Sequence, residues 1–452
     1  MPILGLMTTE SIKDQRWTNI RQQVFYLYPN GAAPLIGLLS LLKGDETNDP
    51  EYSWWEKRML EAVTATKKSG SYVWTDTDGS AATTVYAMNN ATYPQVSYRL
   101  YVASTARIRP NHVLRTTLAT TGNKVLTLKV VDVATNYVTV KVMTINGDDT
   151  ASATTDHTEN LEVKVIGSVY PQGVVSSTGE TYELPVNVKN YTQIFRTPFS
   201  FTGNSMVTPV KFDEQGVYKD KAKEHAIQHM VEIENAFLFG EPSKTVPTGA
   251  ADPTTGTGLP QYTTGGVLSF LRRWEAGTVY GNSPVTGGDD DDNKRIIENA
   301  SGLISEAKLD KYYERVFRTT NNVSNEKIAF VGSGALRIIN QMYRTAGSLV
   351  MDMPAQDTFG MSLVAHKTAF GTVYYKTHPL FSQNSVLRNC MLLMDVHKLR
   401  YRYMTNRDTV LLKNRQPNDA DYRKDEWFTE CGLELHHPES FMFIKNISGY
   451  TP

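Results

Sequence analysis

VYKDKAKEHAIQHMVEIENAFLFG (217–240) is the clearest helix in the sequence, running from Gly216 to Phe239. Ala222, Ala226, Met230, Ile233 and Phe237 recur at three- and four-residue steps, while Lys219, Lys223 and Glu232 take the other faces. Gly240 followed by Pro242 is a stop signal. At about 1.5 Å per residue the helix spans roughly 30 Å, enough to be the spine of a domain.

Towards the C-terminus, residues 241–265 (EPSKTVPTGAADPTTGTGLPQYTTG) are rich in Pro, Gly and Thr and read as a loop. A helix is predicted near Ser305–Phe317, then a buried strand KIAFVG (327–332) and a helix from Ala335 to Tyr343. Short strands follow in GTVYYKTH (371–378), CMLLMDV (390–396), LRYRYM (399–404) and FMFIKNI (441–447). With strands and helices partly segregated, the fold class is α+β.

Towards the N-terminus, residues 1–50 read as an extended arm with one short apolar helix. Its face is Leu35, Leu38, Leu39 and Leu42. The segment YSWWEKRMLEA (52–62) adds Trp54 and Trp55, apolar surface that so short an arm cannot bury by itself. From Lys67 the composition turns to Thr, Val, Tyr and Gly. Leu126–Ile145 alternates apolar with polar residues around a turn at 134–136, a β-hairpin pattern, and Leu161–Gly173 reads as a further strand. A small barrel or sandwich is therefore expected at 105–172. The flanks, 65–104 and 174–208, are expected to be long strands leading out to it and back.

The 452 residues have room for two to four compact units. Lys plus Arg (46) almost cancels Asp plus Glu (47), for a net charge of -1. A nucleic-acid or acidic-membrane binder carries a basic excess, so any such contact is confined to a local patch. Two cysteines, Cys390 and Cys431, make no disulfide framework and lack zinc spacing, which fits a reducing compartment. The N-terminus shows no signal-peptide pattern, and the apolar stretch 32–42 is too short to span a bilayer.

Candidate reactive groups are few. IAFVGSG (328–334) before a helix resembles a phosphate-binding turn. It lacks the third glycine and a following lysine, so Gly334 is read as opening the helix tightly against the strand. His225 and His229 have metal-chelating spacing without the HExxH glutamate, and a solvated or subunit-facing pair is expected. His436 and His437 would point to opposite faces of a strand. Asp289–Asp292 lacks EF-hand spacing and reads as a solvated loop. No GxSxG elbow or nucleophilic-cysteine motif is present. No catalytic residue, metal ligand or cofactor site is assigned.

The order of features carries more than any one motif: apolar arm, Trp-rich segment, long β excursion, spine helix, Gly-rich loop, α+β domain. In that order the chain resembles the major capsid protein of tailed bacteriophages, whose fold is also seen in encapsulins and the herpesvirus capsid floor. The resemblance is carried by YSWWEKRML (52–60), NYTQIF (190–195), SFTGNS (200–205), AFLFG (236–240), TAFGTVYYKTHPL (368–380) and DADYRKDEWFTECGL (419–433). The β-rich insert departs from the family's minimal extended loop.

The resemblance implies an arm at 1–50, an extended loop with insert at 51–208 and a peripheral domain with the spine helix at 209–324. An axial domain follows at 325–430, and a strand at 431–452 returns to the peripheral domain. It implies a structural protein, not an enzyme, closing into pentamers and hexamers of an icosahedral shell around double-stranded DNA. Its place would be the virion, after assembly in the host cytoplasm. Partners would be its own copies, portal, scaffold and decoration proteins, and DNA held non-specifically, with no membrane. Trp54, Trp55, Tyr191 and Phe195, with Leu35, Leu38 and Leu39, are the candidate subunit contacts; filling the subunit's own core is the alternative. Two rival functions are a carbohydrate- or surface-binding protein using the insert, and a metal-dependent hydrolase using His225, His229 and the acidic run.

Overall fold

The computed structural model describes residues 33–451 except 43, 58–62, 106, 119–122, 156, 174–183, 208–216, 246–257, 278, 281–284, 286–287, 290, 319–324, 346–355 and 359–360. The arm before Ala33 and the middle of the Gly-rich loop thus lie outside the described residues. The chain divides into two compact units, Met1–Glu56 with Val186–Pro452, and Lys57–Pro185.

In the first unit the spine helix, Val217–Phe239, forms where the sequence predicts it. It lies against strand Gln193–Thr202, whose alternation sends Phe195, Thr197, Phe199 and Phe201 inward and leaves Ile194, Arg196 and Pro198 exposed. That strand is the edge of a sheet ordered Asp45–Thr47, Leu399–Met404, Tyr422–Leu435, Gln193–Thr202. Pro198 in an edge strand has no N–H to offer a further strand.

A second sheet is ordered Ile296–Ile297, Met442–Ile444, Met391–Met394, Glu326–Val331, Thr372–Thr377, Met361–Lys367, Gln356–Thr358. Its centre is buried on both faces, which is why residues 327–331 read as a continuous run. Ala329, Val331, Val373 and Leu393 pack under helices Glu306–Arg318 and Ser333–Thr345. Ile328, Phe330, Leu392 and Phe443 face the other way, into one core with Phe237 and Leu238 of the spine helix. Each such fully buried side chain contributes about 1.5–3 kcal/mol.

The strands of the C-terminal half are divided between the two sheets. Leu399–Met404 and the start of Tyr422–Leu435, although within the segment 325–430, sit in the first sheet and not in the second with Glu326–Val331, Thr372–Thr377 and Met391–Met394. Met442–Ile444 does not return to that sheet but pairs with Met391–Leu393 and Ile296–Ile297 in the second. The apolar pattern predicts a buried strand there but cannot name its neighbour.

The second unit is a seven-stranded sheet ordered Val63–Ala65, Glu162–Ser168, His112–Leu118, Lys124–Val133, Tyr137–Ile145, Ser97–Tyr101, Trp74–Asp76. Thr66 bridges Val102, and Ala103 N–H donates to Ala65 O (2.8 Å), so the first strand meets the sixth and the sheet closes into a barrel. Leu114, Leu126, Leu128, Val140, Val142 and Val163 fill it. The hairpin turn falls between Val133 and Tyr137, as expected. Residues 65–104, expected as a projecting flank, supply strands of this sheet instead, so the insert is larger than 105–172. Three-residue strands such as Trp74–Asp76 are too short to carry a period-2 signal.

Candidate interaction surface

The segment Glu51–Glu56 is a strand, paired antiparallel with Val186–Tyr191 so that Trp55 faces Asn187 and Glu56 faces Val186. Adjacent residues of a strand point to opposite faces, so Trp54 and Trp55 have different fates. Trp54 is buried: its ring lies 6.1 Å from that of Tyr52, 5.8 Å from Phe270 and 5.8 Å from His436. Its indole N–H donates to Glu56 Oε1 at 2.8 Å. Trp55 is 66% exposed.

Of the seven candidate contact residues, five are buried within the chain, the alternative that the sequence left open. Leu35, Leu38 and Leu39 enter the core because the helix Pro34–Leu41 folds back on the spine helix, and Trp54 and Phe195 enter it from the inward faces of their strands. Tyr191 is half-buried with its ring 5.8 Å from Tyr262, and Trp55 alone projects. Leu184, Ile194 and Val386, at 74%, 52% and 75% exposure, are apolar surface not singled out from the sequence. For Ile194 the signal was present: it alternates with the inward Phe195 on one strand.

The exposed face of the first sheet also carries arginines. Phe428 lies between two guanidiniums, Arg196 at 5.4 Å and Arg407 at 4.7 Å from its ring centre. Arg407 Nε donates to Glu430 Oε2 at 2.5 Å.

The histidine pair is split. His229 is 1% exposed, hydrogen-bonded at Nδ1 to Thr197 Oγ1 and at Nε2 to Thr429 Oγ1, both at 2.8 Å, and burial holds its pKa below the usual value. This corrects the expectation of a solvated pair, since the helix face bearing His229 packs on the first sheet. His225 Nδ1 instead meets the Lys221 carbonyl at 2.9 Å. The acidic run is matched to cations: Asp289 to Lys294 at 3.3 Å and Asp292 to Arg318 at 3.2 Å. Among the described residues no group of three or more His, Cys, Asp or Glu side chains is gathered to hold a metal. No helix there is long and apolar enough to cross a membrane. At the GxG turn, a Cβ on Gly332 would lie 2.3 Å from Arg388 O, and one on Gly334 2.2 Å from Asn389 Oδ1. Both glycines are needed for close packing.

Two sheets that share a spine helix, with a barrel inserted between paired strands, define an α+β protein of two units. Residues 7–448 match the family model described as SU10 major capsid protein, and the chain belongs to that family. A relative, the major capsid protein of Pseudomonas phage PaMx41, is 22% identical over 251 residues, 55% of this chain; the match spans about half (53%) of that relative's length. Among solved structures, the chain is similar to one from Mycobacterium phage Bobi (TM-score 0.39, 7% identity, 98% of this chain and 99% of that one). It is also similar to the SrpI encapsulin of Synechococcus elongatus PCC 7942 (TM-score 0.37, 11% identity, 59% and 78%).

Proposed function

We propose that this chain is the repeating subunit of a tailed-phage head. Copies associate into rings of five and six, and the rings close into an icosahedral shell around double-stranded DNA in the virion. The observation that carries this is the family match, which runs through both sheets, the spine helix and the barrel insert. Exposed Trp55, Leu184, Ile194 and Val386 support it, because large apolar side chains at the surface of one copy are what obligate assemblies bury. The role is structural and non-catalytic. Portal, scaffold and decoration proteins are partners in the same reading, and the near-neutral charge suits a container that must release its DNA.

Electron microscopy and sedimentation of the chain expressed alone, then with candidate scaffold proteins, test this. Closed shells, rings or tubes are expected in one of the two. A monomer in both would sink the reading.

A further inference from the structure

Two arginines of the first unit are almost wholly enclosed: Arg315 is 0% exposed and Arg295 2%. A buried guanidinium ordinarily has a carboxylate for company. Arg295 meets only carbonyls: its Nε donates to Glu439 O (2.9 Å) and its Nη1 to Asp292 O (2.6 Å) and Lys294 O (3.1 Å). Arg315 Nη1 reaches the carbonyls of Asp289 and Lys294, each at 3.3 Å. Its Nε and Nη2 are buried and have no hydrogen-bond partner. Asp292 Oδ1 stands 4.0 Å from that Nε, beyond hydrogen-bond range, while Oδ2 of the same carboxylate accepts from Arg318 Nη1 at 3.2 Å. Lys294 is engaged with Asp289 at 3.3 Å. Arg318 also stands 3.8 Å from Glu314 Oε1 and Glu439 acts on Arg295 electrostatically, so the shortfall is at Arg315, whose two buried donors have no acceptor. Burial and then neighbouring Arg315 lower Arg295 to about 10.

We propose that Arg315 and Arg318, in the field of Arg295, seat an oxyanion of phosphate size, and that Asp292 covers the seat when it is empty. The two unmatched edges of Arg315 form the donor fork that binds a pair of oxygens on phosphate or carboxylate. Asp292 is the movable member, its side chain 61% exposed, and Arg318, 46% exposed, lies beside it at the solvent end. An incoming oxyanion displaces the Asp292 carboxylate and brings the missing acceptors to Arg315. The oxygens have two possible sources: free inorganic phosphate, or an acidic side chain presented by a neighbouring copy. The second source rests on the shell-forming function; the first does not.

The test is thermal unfolding of the full-length chain in phosphate against chloride at matched pH and ionic strength. For free phosphate, Tm rises saturably, rises further in Asp292→Ala, and does not respond in Arg315→Met. In chloride Arg315→Met unfolds no lower than the wild type, because it removes a buried charge that has no matching anion. For a neighbour's carboxylate, free chains ignore phosphate, and Arg315→Met folds with an unchanged Tm yet fails to close the shells that the wild type forms. A phosphate response retained in Arg315→Met, or no response together with normal shells, overturns the site. Should Arg315→Met not fold, Arg318→Met decides, since that residue is half exposed: an unchanged phosphate response, or normal shells where free chains ignore phosphate, overturns the proposal.

Discussion

Glu234 Oε1 lies 2.8 Å from His378 Nε2, and both side chains are completely buried. The same carboxylate accepts the backbone N–H groups of Leu35 and Ile36, each at 2.8 Å. These N–H groups belong to the first turn of the helix Pro34–Leu41, where no intrahelical acceptor exists. One spine-helix residue thus caps the N-terminal helix and holds the segment that leaves the second sheet after Thr377.

Glu234→Ala strands two helix N–H groups and an imidazole inside the core. The expected loss is about 3 kcal/mol or more, from about 1–3 kcal/mol for each buried donor left without an acceptor. Glu234→Gln keeps an acceptor oxygen and loses less. Urea unfolding of the two variants, compared at constant m, checks the order; equal losses would mean that the acceptor oxygen Gln keeps counts for nothing.

The adjacent tryptophans separate folding from assembly. Trp54→Ala opens a cavity beside Tyr52 and Phe270 and should cost about 3–5 kcal/mol. Trp55→Ala, at an exposed position, should leave stability within about 0.5 kcal/mol and lower the yield of closed shells. Unfolding midpoints read the first effect and sedimentation the second. Wild-type assembly by Trp55→Ala would remove this residue from the contact surface.

Lys327 gives the chain a pH signature. It is buried, 3.4 Å from Asp395 Oδ2 and 3.4 Å from Ser440 O, and burial lowers its pKa from 10.5 to about 8. Below pH 8 both folded and unfolded states carry the proton, and the burial penalty is present in full. Between pH 8 and 10.5 the folded state releases the proton while the unfolded state keeps it, so stability rises with pH, by about 3 kcal/mol in total. Cys431, whose thiol burial raises well above its usual value, works in the opposite direction above pH 9. The effect is therefore read as the difference between wild type and Lys327→Met across that window. A flat difference would show that the lysine keeps an ordinary pKa.

What the sequence disclosed follows the length of each signal. The spine helix, the hairpin at Leu126–Ile145 and strand Leu399–Met404 were legible because their periodicities run for six residues or more. The partner of Met442–Ile444 and the strand at Trp74–Asp76 were not, since pairing is fixed by residues far away in the chain. Trp54 and Trp55 were taken together because the segment was read for composition; as a strand it divides them at once. The buried arginine cluster left no pattern at all. Arg295 and Arg315 look like any surface cations until the fold encloses them.

The GxG turn was legible as a place of close packing, though its neighbour is the turn Leu387–Asn389 and not the strand. Gly332→Ala would drive a methyl group into Arg388 O, a backbone atom that cannot move aside, so strain of at least about 1–3 kcal/mol is expected. Fluorescence titration with ATP and NAD should show no binding to the wild type. Saturable binding of either would return the turn to the phosphate-cradle reading.

The barrel should be removable without unfolding the rest. Glu56 and Val186 face each other as the last pair of the stem ribbon, so residues 57–185 can be replaced by an Asn-Gly hairpin turn that keeps the register of Trp55 opposite Asn187. Among the described residues the barrel has its own core, from Val73 to Val163. The shortened chain should keep its hydrogen-exchange protection at Glu326–Val331 and Gln193–Thr202. Loss of protection confined to Gln193–Thr202 would show that the barrel supports the first sheet. Preserved protection with lost shells would place the barrel's contribution between copies instead of within one.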